Sequence, residues 1–248
     1  MTGRALCFAL CLAISGCGTA GGSTERVDVM RRILPSAVQL RAEREGGARR
    51  AASGVVLASD ARTNRSFILT TRHFLDPATK QDVSVSTPTR KGRAKAVVKA
   101  MSQDMDLAVI EADGITLPPV KFKEVVRLGD VVWVAGFPWG RQLTVVSGVV
   151  SQLKNEDGDF SVEGTIRMVD ASVSYGSSGG GVFQARDGAL IGIVEGYSTA
   201  RVSPQGANPS WYIDVPVPGQ TYLTPIGDAV EFLRDSGHGP LVAQGAAG

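Results

Sequence analysis

The chain has 248 residues, 43% hydrophobic and 20% charged, enough for one large all-β domain or two smaller subdomains with a real core. Its 26 basic and 24 acidic side chains leave a formal charge of +2, too near balance to gather a phosphate backbone, so nucleic acid is not an expected partner. The densest basic stretch, residues 89–99 with Arg90, Lys91, Arg93, Lys95 and Lys99, has no interleaved aromatics and reads as a solvated loop and strand face.

At the amino terminus, one early cation, Arg4, precedes an apolar run from Ala5 to Ile14 that is short for a bilayer and is followed by small residues. That pattern is an export signal. Ile14-Ser15-Gly16-Cys17 resembles the bacterial lipobox, so residues 1–16 read as a lipoprotein signal peptide and Cys17 as the lipidation site and membrane anchor. The alternative is ordinary signal-peptide cleavage near Ala20, which releases a soluble protein. Gly18 after Cys17, where an Asp would favour inner-membrane retention, points to the outer membrane with the domain facing the periplasm. Residues 17–28 then form a flexible Gly/Ser/Thr tether.

Cys7, Cys11 and Cys17 are the only cysteines and all lie in this leader, so the mature fold is expected without disulfides or a thiolate metal cluster. His73 and His238 are the only histidines, which also excludes a multi-histidine metal site; no metal and no cofactor is expected. The lack of a second long apolar run implies that the domain itself does not span a membrane.

Beyond the tether, a helical turn is expected to stop before Pro35, followed by a strand at 37–41. Short β-branched or alternating segments bounded by turn formers predict strands at 53–59, 66–71, 82–88, 95–101 and 107–112. A second set follows at 130–137, 143–153, 164–171, 181–184, 189–197 and 210–217. Pro118-Pro119 places the boundary between the sets in residues 115–124. Helical spacing of Ile226, Val230 and Leu233 predicts one short carboxy-terminal helix at 225–236, and 237–248 reads as a frayed tail in which His238 has no role. About a dozen strands and one helix make this an all-β chain built as barrels or a sandwich.

Three chemically able residues interrupt these strands. His73 ends a buried strand, Asp106 opens another, and Ser178 lies in the glycine-rich "SYGSSGGGVF". Singly they read as a structural histidine, a turn former and a linker serine. Together they supply a hydroxyl, an imidazole to take its proton and a carboxylate to fix the imidazole tautomer. The amides of Gly176 and Ser178 could form an oxyanion hole, and Gly179 and Gly180 allow close backbone approach.

In "SGVVLASD…SFILTTRHFL", "DMDLAVIE", "GDVVWVAGFPWG", "TVVSGVVSQL" and "YGSSGGGVF…GALIGIVEGY", the chain resembles the trypsin-like serine proteases of chymotrypsin fold, and within them the HtrA/Deg branch, from about Ile33 to Arg234. The resemblance implies two six-stranded antiparallel β-barrels with the active site between them. The protease domain would then be 29–236, with a first barrel at about 33–115, a second at about 124–224 and the helix at 225–236. It places the base on His73, the orienting carboxylate on Asp106 and the nucleophile on Ser178. Asp104, two residues earlier, competes for the orienting role, although alternate strand positions face opposite sides. Substrate would lie along Glu195, Gly196 and Tyr197, with Ser172 at the base of the primary pocket beside Val173. A neutral base suits small or aliphatic side chains, though Glu195 and Asp170 could bring a charge.

Two departures stand out. Ser177 replaces the Asn or Asp of related sequences, which removes activation by pairing with a newly cut amino terminus. Gly181 replaces the usual Pro and implies a loosened turn that orders with substrate. After the helix about a dozen residues remain, too few for the PDZ module common in the branch, since an independent domain needs ~50 or more. The expected function is a serine endopeptidase of the bacterial cell envelope, acting on protein or peptide substrates in quality control or processing; homo-oligomerisation is left open. The alternative is a catalytically silent, envelope-anchored binding or scaffold protein of the same fold. An esterase is disfavoured by the missing α/β alternation and nucleophile elbow.

Overall fold

The computed structural model describes residues 21–44, 47–76, 81–154, 161–203 and 211–246. The leader, including Cys17, lies outside them. In the first half, apolar residues at alternating strand positions point inward, and six strands close around them. These are β1 (Ala37–Arg44), β2 (Arg49–Asp60), β3 (Arg65–Thr70), β4 (Gln81–Thr87), β5 (Arg90–Met101) and β6 (Ala108–Asp113), ordered β1-β2-β3-β6-β5-β4. Val38, Leu40, Val56, Ile68 and Ile110 fill the interior and are fully buried. The basic stretch forms the outward face of β5, with all five of its cations exposed. At the β2–β3 turn, Asp60 accepts hydrogen bonds from Thr63 Oγ1 (2.8 Å) and Arg62 N (2.9 Å). Those bonds, the Thr63 hydroxyl first, hold the Asp60 carboxyl below its ordinary range.

The second half contains β7 (Val125–Arg127), β8 (Val131–Gly136), β9 (Thr144–Leu153), β10 (Glu163–Asp170), β11 (Gly181–Gln184), β12 (Leu190–Val202) and β13 (Ile213–Pro225). Six of them run β13-β12-β11-β8-β9-β10, and β10 pairs back to β13 through Met168↔Tyr222 and Val169↔Thr221. The fold is thus two six-stranded antiparallel barrels, the second carrying β7 on β10 as an added edge. Residues 114–124 contain no strand and are stitched to both barrels: Val120 N donates to Val56 O, and Lys123 N to Leu190 O.

Helices cover one side. α1 (Gly21–Ile33) occupies much of what reads as tether, and α3 (Gly239–Ala246) occupies the expected tail; α2 (Ile226–Asp235) lies between β13 and α3. Both extra helices are corrections to the sequence reading, and their cause is burial. Val29 and Ile33 of α1 pack in one cluster with Ala229, Phe232 and Leu233 of α2 and Val242 of α3. Isolated Gly/Ser/Thr-rich or small-residue segments lack the propensity to hold a helix, and tertiary packing supplies it.

Gly181 also departs from its expectation. It does not sit in a loosened turn; it is the buried first residue of β11, opposite Ala135 and Ile193. A Cβ there would lie 2.5 Å from the Phe183 ring and 2.8 Å from Val55 Cγ2, so close packing explains the missing side chain.

Candidate active site

Strand β3 ends at Thr70, and the chain turns so that His73 stands beside Asp106, which lies just ahead of β6. Asp106 grips the histidine twice: His73 N donates to Oδ1 (2.8 Å), and His73 Nδ1 lies 2.6 Å from Oδ2. A carboxylate only accepts, so Nδ1 carries a proton, and in the neutral ring Nε2 is the atom with the lone pair. Asp104 is exposed, and among the described residues the ring's carboxylate partner is Asp106. The loop that carries Asp106 is braced by the residue next to the histidine. Arg72 Nη1 donates to Ser102 O (2.7 Å) and Gln103 O (2.6 Å), while Ser102 Oγ accepts from Met105 N (3.0 Å).

Ser178 comes from the other barrel, in the turn between β10 and β11. Two glycines fix that turn. Gly176 has φ +90°, and a Cβ on it would lie 2.8 Å from Trp139 N and 2.9 Å from Phe137 O; Gly179 has φ +82°, and a Cβ on it would fall on Ser53 O and Thr70 Oγ1. Only glycine meets both requirements. Thr70 is three residues before His73, so the close fit of Gly179 seats the turn against the strand end that delivers the imidazole. The backbone bond Ser53 N→Ser178 O (2.9 Å) ties the same turn to β2.

The oxyanion-side geometry follows from one peptide plane. Trp139 N donates to Tyr175 O at 2.7 Å. Carbonyl and amide of a planar trans peptide point in opposite directions, so the Gly176 N–H is aimed away from Trp139. Gly176 O is held in turn by Ser53 Oγ (2.8 Å), which also accepts from Phe137 N (2.8 Å). Among the described residues, neither the Gly176 nor the Ser178 N–H donates to a protein acceptor. The Ser178 hydroxyl likewise has no hydrogen-bond partner among them; in substrate-free enzymes a catalytic hydroxyl commonly meets its base only when substrate binds.

The five residues expected to bind substrate come from two segments, the approach to the Ser178 turn and strand β12. Ser172 and Val173 line a cavity of about 260 Å³ together with Val134, Val146, Ser174 and Ser177. Glu195, Gly196 and Tyr197 are on β12, where a bulge at Glu195 breaks the register with β13 and Thr224 Oγ1 donates to Glu195 Oε1 (2.6 Å). The departure at Ser177 is accommodated locally: the residue is buried, and its N–H donates to Ser174 O (2.9 Å).

Sequence reasoning missed Ser53, Thr70 and Arg72. Each is a polar residue in or beside an apolar strand, and Ser53 is only 1% exposed. A buried polar side chain needs partners, so a serine inside "ASGVVLA" was the available signal.

Residues 52–193 match the family model described as the trypsin-like peptidase domain. A probable periplasmic serine protease do/HhoA-like of Haemophilus influenzae is 35% identical over 161 residues, 63% of this chain and 32% of that protein. The periplasmic serine endoprotease DegP of Escherichia coli K12 is 32% identical over 157 residues, 63% of this chain and 31% of that protein. The alignments thus span about a third of the length of these curated relatives. Among solved structures, the serine endoprotease from Yersinia pestis superposes with a TM-score of 0.63 at 22% identity, covering 89% of this chain and 68% of that one.

Proposed function

Because the chain belongs to the trypsin-like peptidase family, whose model matches more than half of it, we propose that it is a serine endopeptidase acting on protein or peptide substrates. The observation that carries this reading is the doubly bonded His73–Asp106 pair, with Nε2 left basic, seated beside the turn of Ser178. In the proposed cycle, His73 Nε2 removes the Ser178 proton as Oγ attacks the substrate carbonyl. The Gly176 and Ser178 amides donate to the resulting oxyanion. His73 then protonates the leaving amine, and water hydrolyses the acyl-enzyme by the same relay. The acyl side of the substrate lies along Glu195, Gly196 and Tyr197, and the neutral Ser172 favours small or aliphatic residues.

A fluorophosphonate probe tests this directly: the purified domain is expected to become labelled and to degrade an unfolded protein. A wild type that stays unlabelled and cleaves nothing would leave the silent-scaffold reading in its place.

Relatives are named periplasmic, which supports an envelope setting. Within it, we place the domain on the periplasmic face of the outer membrane, held by lipid on Cys17 and engaged in protein quality control or processing. Labelled palmitate is expected to enter the wild type and not Cys17→Ala; equal incorporation would refute the anchor.

A further inference from the structure

A cleft of about 700 Å³ opens beside the candidate active site, and its lining does not belong to the acyl-side strand β12. Tyr175, immediately before Gly176, forms one wall. Arg50 reaches the other side of the site, donating from Nη1 to His73 O (3.0 Å) and Asp76 O (2.7 Å). On its opposite flank the nucleophile turn is tied to β12 by Gly179 N→Val194 O (2.8 Å) and Val194 N→Gly180 O (2.9 Å). A substrate that runs its acyl side along β12 and its carbonyl into the Gly176 amide therefore leaves the nucleophile toward this cleft.

Two features fit the cleft to a ligand. The first is charge: its described lining carries five cations against two carboxylates, Glu43 and Asp82. Glu43 is already paired with Arg49 (3.1 Å), whereas Arg93 and Lys95 on the outward face of β5 have no ion-pair partner among the described residues. The second is an aromatic pair at the rim. Trp139 is 65% exposed and Tyr175 52% exposed, with ring centroids 5.4 Å apart. Trp139 also has φ +55°, ψ 22°, a left-handed conformation that a bulky residue adopts only when its surroundings impose it. Here they are the Trp139 N→Tyr175 O bond and Arg41 Nη2, which holds Gly140 O at 3.1 Å. A strained backbone that keeps an indole in solvent gains nothing for the core, and it supplies a flat apolar wall beside a basic floor.

We propose that this cleft is a subsite for acidic residues on the leaving-group side of the scissile bond, with Trp139 and Tyr175 covering the peptide backbone and Arg93 and Lys95 receiving the carboxylates. The assignment of sides rests on the protease reading above. Peptides with one acyl-side sequence and Glu, Gln or Lys at the second and third positions after the scissile bond test it. The expected kcat/KM for Glu exceeds that for Gln by about tenfold, the advantage shrinks as salt is raised, and Arg93→Glu/Lys95→Glu reverses the order of Glu and Lys. A second readout needs no turnover: the leaving-side peptides are titrated into Ser178→Ala, with indole fluorescence as the signal and Trp139→Phe as the control. Equal binding of the Glu, Gln and Lys peptides, or binding unchanged in Arg93→Glu/Lys95→Glu, overturns the subsite even in an active enzyme. Selective binding of the Glu peptide by a protein that cleaves none of the series overturns the protease reading and leaves the anion-selective cleft standing.

Discussion

Replacing Ser178 by alanine is expected to lower kcat on a peptide substrate by on the order of 10^6-fold with little change in KM, because in the proposed cycle the hydroxyl forms the acyl-enzyme bond and contributes little to binding the ground state. Residual hydrolysis above the uncatalysed rate should remain, from the Gly176 and Ser178 amides and from substrate positioning. The fold should be untouched. What Ser178 gives the structure is its backbone carbonyl, bonded to Ser53 N at 2.9 Å, and alanine keeps it. Steady-state kinetics beside a thermal unfolding curve checks both halves. A loss of less than about tenfold would move the nucleophile to another side chain, with Ser177 and Ser174 next to be tested.

Asp106→Asn is the second large effect, an expected loss of on the order of 10^4-fold in kcat at neutral pH. The amide oxygen can still accept from His73 N, now 2.8 Å from Oδ1, so the loop should keep its place. The amide nitrogen, however, would face Nδ1, at the position where Oδ2 now lies at 2.6 Å. Two donors cannot share that contact, so the ring is driven to the Nε2–H tautomer and loses the lone pair that would take the serine proton. Asp104→Asn supplies the comparison: the side chain is exposed and should leave kcat within about twofold. If the Asp104 variant suffers the larger loss, the orienting carboxylate has been misassigned.

The two positions show where sequence reading stops. The resemblance favours Asp106 and strand alternation would turn Asp104 the other way, but both residues lie in the bend between β5 and β6, where strand alternation does not apply. Arg72, which pins the carbonyls of Ser102 and Gln103, braces the bend from which Asp106 reaches the ring. The strands themselves were largely legible, since β-branched alternation between turn formers is a local property. β7 was not: three residues, Val125–Arg127, are too few to show a period. The pattern predicts this strand only as far as residue 217, yet β13 continues past Pro216 and Pro218 to Pro225. Proline removes one N–H from a ladder, and a strand survives where that N–H is not needed. Only one turn of helix α1 is legible in the sequence, since its amino-terminal residues have poor intrinsic propensity and the partners of Val29 and Ile33 come from the far end of the chain.

By itself, the sequence determined the inventory and its local setting: one imidazole at a strand end, a carboxylate at a strand entrance, a serine among glycines, and two runs of short strands. These follow from residue type and near-neighbour spacing, which act within a few residues. The tertiary structure alone decided that Asp106 holds both the backbone N–H and the ring of His73, that the Tyr175–Gly176 peptide turns its N–H away from Trp139, and that Gly181 opens a buried strand. It also assembled the basic, aromatic-rimmed cleft from β1, β2, β4, β5, the 138–140 turn and Tyr175. Hydrogen bonds and contacts across more than a hundred residues of chain, such as Ser53 Oγ to Gly176 O, exist only once both barrels have closed, and no local pattern encodes them.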